Sequence, residues 1–448
     1  MLNGRWKMNE IKLKREIFKK VAEFYRLKHA KKTFTPGKTR IQFGGRVFDE
    51  REMIAMTDAV LDFWLTLGKY AGEFEANFAR HLSVKHAVVT NSGSSANLLA
   101  VSALMSRKTH NPIPPGSEAI TPASTFPTTV NPLIQNGLVP VLLDVGLGTY
   151  NINAEALEGA ITRKTRLIML PHTLGNPNDM KTIMDVAEDH HLRVVEDSCD
   201  ALDSRYAGKL VGTFGDIGTF SFYPAHHISM GEGGALATNS GELNRAIRSL
   251  RDWGRACYCP QGAAPPNGAC GKRLNFKING ITYDHRYVYS NIGYNLKPTD
   301  IQCAMGVEQL KKLPAFTKKR QENFKKLYHV FKKYADQLIL PLSLPKAEPS
   351  WFAFPLTLRA SCDFTREDLT GWYEKNNIET RLLFAGNVVN QPAYKGVNYR
   401  IAGDLKNSNT IMKNTFFIGV YPGIDDRMIK YVKEKTEEFM GAKTPVKR

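Results

Sequence analysis

The chain has 448 residues, enough to bury a large core and to form one large domain and a smaller one. Its 42% hydrophobic and 23% charged residues are typical of a soluble globular protein. No apolar run approaches the roughly 20 residues that span a bilayer, and the N-terminus lacks the apolar core and cleavage site of a secretory signal. We therefore expect a cytoplasmic protein without a membrane partner.

The net charge of +18 is concentrated near the N-terminus, where residues 1–50 contain 14 Lys/Arg and 5 Asp/Glu. Such a segment can bind nucleic acid, or attract an anionic nucleotide-sugar or an acidic redox partner. Its apolar residues, however, recur with helical spacing on one face. That face contains Ile11, Lys14, Ile17, Phe18, Val21 and Tyr25. The pattern favours a basic helix that covers the main domain, and we expect no nucleic-acid binding.

From about residue 85, short runs rich in β-branched residues alternate with helical stretches such as Ser95–Met105 and Met180–His190. This alternation predicts an α/β domain with a mostly parallel, seven-stranded sheet. The predicted strands are His86–Thr90, Glu118–Thr121, Val139–Val145, Leu167–Pro171, Arg193–Asp197, Gly218–Phe222 and Ala235–Thr238.

Beyond the sheet, the pattern becomes long and helical over Asp300–Lys333, which suits a connection into a second domain. Strands are predicted there at Trp351–Leu358 and Phe416–Val420, and helices at Arg366–Lys375 and Asp426–Met440. We predict a basic helical segment (1–50), a large domain (51–310) with a cysteine-rich loop (257–270), and a smaller C-terminal α/β domain (311–448).

Three segments of the large domain could hold a phosphorylated ring. Gly93, Ser94 and Ser95 follow a strand and open a helix, where backbone amides and the helix dipole favour an anion. Asp197 ends a buried strand at the carboxyl edge of the sheet, where open α/β sheets place ligands. Ser221 ends another strand and could donate its hydroxyl to the same phosphate. Each segment alone is also explained by ordinary turns and helix caps.

Taken together, in this order and spacing, these segments resemble the DegT-type sugar aminotransferases from about Gly68 through the C-terminal domain. The resemblance implies a type I aminotransferase-like fold that binds a pyridoxal phosphate (PLP) type of cofactor, and a homodimer with shared active sites. It further implies that Phe126 stacks on the cofactor ring and that Asp197 keeps the ring nitrogen protonated. Asn295 occupies the position that reaches the phosphate of the neighbouring subunit.

One position departs from this family in a way that changes the chemistry. Residues 218–234 match the segment that carries the cofactor lysine, but His226 stands at the lysine position, five residues after Ser221. An imidazole cannot hold the cofactor covalently, whereas a neutral histidine is a competent general base. We predict that His226 is the catalytic base and that the adjacent His227 is structural. Asp200 also replaces the glutamine usual in the family.

Four cysteines suggest a metal site. Cys199 and Cys257 are separated by 57 residues, Cys259 follows after one residue, and Cys270 after ten more. Spacing alone allows a [2Fe–2S] or [4Fe–4S] cluster or zinc. The histidine and the first two spacings resemble the CDP-4-keto-6-deoxyglucose 3-dehydrases, a subgroup with a [2Fe–2S] cluster. The last spacing in that subgroup is seven, so Cys270 follows a loop longer by three residues. Cys303 and Cys362 are predicted to be ordinary thiols.

This narrower resemblance implies a particular reaction. The enzyme would bind pyridoxamine 5′-phosphate (PMP) noncovalently and remove the C3 hydroxyl of a nucleotide-diphospho-4-keto-6-deoxyhexose, CDP-linked in the subgroup. The cluster and an iron–sulfur flavoprotein NAD(P)H reductase would then complete the deoxygenation, giving precursors of lipopolysaccharide 3,6-dideoxyhexoses.

Three alternatives to this reaction remain open. The first is a cluster-free 3-dehydratase of the GDP-4-keto-6-deoxymannose type. The second is a nucleotide-sugar aminotransferase, which the missing lysine disfavours. The third is a noncatalytic regulator on the same fold.

Overall fold

The computed structural model describes residues 2–30, 33–257 and 273–443. Its helices are α1 (Leu2–Lys28), α2 (Glu50–Asp62), α3 (Lys69–Leu82), α4 (Gly93–Leu104), α5 (Pro127–Gln135), α6 (Leu157–Ala160), α7 (Met180–Asp189), α8 (Gly241–Arg251), α9 (Asp300–Phe331), α10 (Arg366–Lys375), α11 (Lys406–Asn414) and α12 (Asp426–Lys443). None of these helices is long and apolar enough to cross a membrane.

The strands of the large domain come first in the chain. They are β1 (His86–Thr90), β2 (Glu118–Pro122), β3 (Val139–Leu143), β4 (Thr165–Pro171), β5 (Arg193–Asp197), β6 (Arg205–Tyr206), β7 (Lys209–Leu210), β8 (Ile217–Ser221), β9 (Gly234–Thr238), β10 (Phe276–Ile278) and β11 (Ile281–Tyr283). Those that follow α9 are β12 (Leu338–Ile339), β13 (Ala347–Glu348), β14 (Ala353–Leu358), β15 (Arg381–Leu382), β16 (Arg400–Ile401) and β17 (Thr415–Gly419).

The main sheet has the order β1-β9-β8-β5-β4-β2-β3-β16 within the described residues. All seven predicted strands are present, and the pairings from β16 to β8 are parallel, as expected for a mostly parallel sheet. The pairings of β9 with β8 and β1 are antiparallel. The predicted number of seven strands was wrong, because β16 adds an eighth strand from far along the chain.

Helix packing on the sheet follows from the residues on its two faces. On one side, α4 and α8 contribute Leu99, Ala100 and Ile247 to a buried cluster with Val195 of β5. On the other side, α3 and α9 pack Phe74, Phe78 and Cys303 against Phe220 of β8. Because nearly continuous apolar strands require cover on both faces, this is the doubly covered arrangement that a mostly parallel sheet needs.

The smaller sheet has the order β12-β14-β17-β15 and packs on α10, α12 and the second half of α9. Helix α9 runs continuously across residues 310 and 311, where we had placed the domain boundary, and β16 returns to the large sheet. The two domains are therefore joined by a shared helix and by a shared strand pairing.

The N-terminal helix packs on α2. Of the predicted face, Lys14, Ile17, Phe18, Val21 and Tyr25 are half-buried, whereas Ile11 is exposed. Lys14 forms ion pairs with Asp58 and Asp62 of α2. Most of the other side chains of residues 8–28 are exposed, as expected for a basic helix that covers the domain.

Candidate active site

A cavity of about 400 Å³ lies at the carboxyl ends of β4, β5 and β8, between the large and small domains. The large domain supplies Gly93, Ser94, Phe126, Asp197, Cys199, Ser221 and His226, all of which we had singled out from the sequence. The small-domain part of the chain supplies Phe352, Arg381, Leu382, Phe384 and Phe417. No lysine is among the described residues that line it.

The start of α4 forms one end of the cavity. Ser92 caps the helix by accepting a hydrogen bond from the Ser95 amide at 3.0 Å, so the amides of Gly93 and Ser94 have no acceptor within the helix. A Cβ atom on Gly93 would lie 2.5 Å from Cβ of Ser221 and 2.8 Å from Sγ of Cys199, which explains why glycine is required there. The free amides and the Ser221 hydroxyl form a cradle that suits a phosphate.

The carboxylate of Asp197 lies at the centre of the cavity floor and is nearly fully buried. One oxygen accepts hydrogen bonds from Nδ2 of Asn97 at 2.7 Å and from Oγ1 of Thr129 at 2.8 Å. The other accepts the amide of Cys199 at 3.2 Å. Asn97 and Thr129 are not predicted as site residues from the sequence, because they lie 100 and 68 residues from Asp197. These donors hold the carboxylate in one orientation, as a partner of a protonated ring nitrogen requires.

His226 faces the cavity from the turn that follows β8. Its ring lies 5.3 Å from the ring of Phe352, measured between centroids, and its Nδ1 lies 3.5 Å from Oδ1 of Asp200. Burial, together with the nearby Arg320 charge, lowers the pKa of His226 to about 3. The imidazole is therefore neutral at pH 7, the form that can accept a proton.

Asp200 has the opposite shift. Burial, and then the charge of Asp197, raise the pKa of Asp200 to about 8. At neutral pH the contact between Asp200 and His226 therefore joins a carboxylic acid to a neutral imidazole and is not a salt bridge. The sequence indicated that Asp200 departs from the family pattern, but it gave no sign that this side chain lies beside the histidine.

We expect Asp200→Asn to stabilise the cofactor-free protein in a pH-dependent way. The folded state keeps the Asp200 proton between about pH 4 and 8, whereas the unfolded chain releases it, so this residue lowers stability progressively as the pH rises through that window. Asparagine removes this cost, so the gain in the free energy of unfolding should be about 5 kcal/mol at pH 9 and near zero at pH 4. Urea unfolding at pH 4, 7 and 9 measures this; an equal gain at every pH would contradict the assignment.

Phe126 and the cysteines occupy different surroundings. The Phe126 ring is half-exposed in the cavity, with Phe384 edge-on at 5.6 Å between centroids. Cys199 lines the cavity, and burial raises the pKa of its thiol well above the usual value. Cys257 lies in the described chain, outside the cavity lining. Cys259 and Cys270 fall outside the described residues, and the described residues contain no group of three metal-ligating side chains.

Two predicted cofactor residues do not line the cavity of their own chain. The Ser95 hydroxyl accepts a hydrogen bond from Ser92 within the helix cap. Asn295 is exposed, and its side-chain oxygen accepts a hydrogen bond from Nζ of Lys297 at 2.6 Å. His227, predicted to be structural, is buried, with Nε2 2.7 Å from the carbonyl oxygen of Ser350.

Residues 47–437 match the DegT/DnrJ/EryC1/StrS aminotransferase family. The chain belongs to this family. It is 46% identical over 432 residues to the lipopolysaccharide biosynthesis protein RfbH of Salmonella typhimurium, covering 96% of this chain and 98% of that protein. It is 47% identical over 430 residues to the dTDP-4-dehydro-2,6-dideoxy-D-glucose 3-dehydratase of Saccharopolyspora spinosa, covering 95% and 92% of the two chains.

A solved nucleotide-sugar dehydratase has the same fold. The Escherichia coli GDP-4-keto-6-deoxy-D-mannose-3-dehydratase with bound hydrated PLP superposes with a TM-score of 0.80 at 29% identity, over 89% of this chain and 99% of the other. The predicted aminotransferase-like α/β fold is thus confirmed, and the chain is an enzyme of the family that contains nucleotide-sugar 3-dehydratases and aminotransferases.

Proposed function

We propose that the chain is a PMP-dependent 3-dehydrase that removes the C3 hydroxyl of a nucleotide-linked 4-keto-6-deoxyhexose. The observation that carries the proposal is the neutral, half-buried His226 in a cavity whose described lining contains no lysine. A lysine would favour covalent attachment of the cofactor and amino transfer, whereas a histidine can only move protons.

The cavity residues fit PMP in size, charge and hydrogen bonding. The amides of Gly93 and Ser94 and the hydroxyl of Ser221 would bind the phosphate, Phe126 would cover the ring, and Asp197 would hold the ring nitrogen charged. When bound, the protonated ring system acts as an electron sink. His226 then accepts the proton whose removal allows the C3 hydroxyl to leave. The imidazolium formed in this way can then donate a proton to the departing oxygen.

The deoxygenation is proposed to continue at a [2Fe–2S] cluster held by Cys199, Cys257, Cys259 and Cys270. Support comes from the cysteine spacing and from the position of Cys199 in the cavity wall, beside Gly93 and Ser221. Burial disfavours the thiolate form of Cys199. A cation bound at this position would favour the thiolate, because a coordinated thiol is deprotonated. The cluster would pass single electrons from an iron–sulfur flavoprotein NAD(P)H reductase.

Two further parts of the proposal concern the assembly and the pathway. Asn295 is exposed away from its own cavity, which supports a homodimer in which it reaches the phosphate site of the partner. The names of the two relatives support a role in deoxysugar or lipopolysaccharide biosynthesis. The nucleotide is proposed to be CDP, with dTDP and GDP as the alternatives.

The test is turnover of CDP-, dTDP- and GDP-linked 4-keto-6-deoxyhexoses by anaerobically purified protein with PMP and a reductase. We expect loss of the C3 hydroxyl without amino transfer. An amino sugar formed with glutamate as donor would replace this proposal by the aminotransferase. Turnover of the GDP sugar without metal or reductase would replace it by the cluster-free 3-dehydratase.

The cluster is tested separately by metal analysis. We expect about two irons with matching labile sulfide per chain, and loss of both in Cys259→Ser and Cys270→Ser. Cys362→Ser is the matched control, because its thiol lies outside the cavity and donates a hydrogen bond to the Gln337 carbonyl. Zinc alone, or a reconstituted protein without metal, would overturn the cluster while leaving the dehydration itself open to measurement.

A further inference from the structure

The largest fully buried side chain of the described protein is an arginine behind the cavity. Arg320 lies within α9 and is 1% exposed. Its Nη1 donates hydrogen bonds to the carbonyls of Trp351 at 3.2 Å and Phe352 at 3.1 Å. Its Nη2 donates to the carbonyl of His226 at 3.2 Å. One guanidinium thus joins the turn that carries the predicted base to the segment that leads into β14.

Burial of this guanidinium costs more free energy than a purely structural contact would justify. A buried cation loses its hydration, and burial lowers the pKa of Arg320 to about 9. Among the described residues no carboxylate forms an ion pair with it, and Asp200, which would favour the protonated guanidinium when ionised, is itself a neutral acid at pH 7. Apolar residues could join the two domains at lower cost. The hydrogen bond to the His226 carbonyl suggests that the guanidinium has a role at the turn that carries this histidine.

The segment that Arg320 binds also contacts both histidine side chains. The Phe352 ring packs against the His226 ring, and the Phe352 carbonyl accepts one of the guanidinium hydrogen bonds. Two residues earlier, the Ser350 carbonyl accepts the hydrogen bond of His227. The position of the His226 ring is therefore defined through Phe352 on one side and through its own backbone on the other, with Arg320 holding both.

We propose that Arg320 is a positioning residue for His226, whose guanidinium fixes the imidazole at the distance and angle that proton transfer requires. This inference rests on the proposed role of His226 as the base. A misplacement of about 1 Å can lower a catalysed rate by roughly 100-fold, so a single anchor of this kind controls turnover without touching the substrate.

The kinetic test compares Arg320→Met and Arg320→Lys with Asn323→Leu. Asn323 is one turn further along α9, fully buried, and donates to three backbone carbonyls at 3.2 Å, but none belongs to the His226 turn. We expect kcat of Arg320→Met to fall about 100-fold, with KM and the PMP dissociation constant nearly unchanged. Arg320→Lys keeps the charge and should recover part of the loss, and guanidinium ions should partly rescue Arg320→Ala.

A second measurement does not depend on turnover. Crystal structures of the cofactor-free variants report the position of the His226 ring. We expect the ring to be displaced in Arg320→Met and in place in Asn323→Leu. Equal losses of kcat in both variants at matched melting temperatures, or an undisplaced His226 ring in Arg320→Met, would overturn the positioning role. Retained turnover in His226→Asn would instead overturn the proposed function.

Discussion

His226→Asn is expected to lower 3-dehydration by about 10³-fold while PMP still binds. The asparagine side chain is polar and of similar size, but it cannot accept the proton that must leave before the C3 hydroxyl departs. The residues of the phosphate cradle and Asp197 are separate from the turn that carries His226, so cofactor affinity should change little.

The measurement pairs single-turnover kinetics with a PMP binding titration. His190→Asn is a suitable control, since His190 lies on α7's C-terminal cap at the surface and contacts Glu158. Dehydration at an undiminished rate in His226→Asn would remove the histidine from its proposed role. Loss of PMP binding together with activity would point to a disrupted cavity instead.

Asp197→Asn should have an effect of similar size, about 10³-fold on turnover, and should also weaken PMP binding. The substitution preserves shape but removes the charge that keeps the ring nitrogen protonated. It also removes an acceptor that neighbouring groups need. Three donors, from Asn97, Thr129 and the Cys199 amide, bind the two carboxylate oxygens of Asp197. An amide can satisfy only one of the two carboxylate oxygen positions and presents a donor at the other.

This prediction is checked by kcat and by the PMP dissociation constant of the variant across pH 6 to 9. Asp185→Asn provides the control, because Asp185 is an exposed carboxylate whose partner is Lys181 on the same helix. Full turnover in Asp197→Asn would show that the ring does not need a charged partner here. A loss confined to folding would appear as an equally large decrease in melting temperature.

The fold was largely predictable from local pattern. β1 and β5 have the predicted ends, because each is a compact run of buried residues bounded by polar ones. The strand at Arg400–Ile401 was missed because two residues carry no periodicity. Its place in the sheet depends on the pairing of Arg400 with Val141, about 260 residues away.

The site was predictable only where a motif is continuous in sequence. Gly93, Asp197, Ser221 and His226 each belong to such a segment, and the structure places all four in one cavity. The neighbouring residues that orient these four side chains could not be predicted from continuous motifs. The contact between Thr129 and Asp197, and that between Arg320 and His226, join elements that the chain brings together only after folding.

The strand β16 has a consequence for how substrate enters. Besides its pairing with β3, Arg400 binds both carboxylate oxygens of Glu118, at 3.0 and 2.9 Å, and the Val388 amide donates to the Ala123 carbonyl. A hinge rotation that separated the two domains would have to break these contacts, which join the C-terminal part of the chain to the large sheet. Opening by local rearrangement at the mouth is less costly. A nucleotide-sugar would therefore enter past side chains that move locally, without a rotation of one domain against the other. For the same reason, we expect heating to unfold both domains in one cooperative transition.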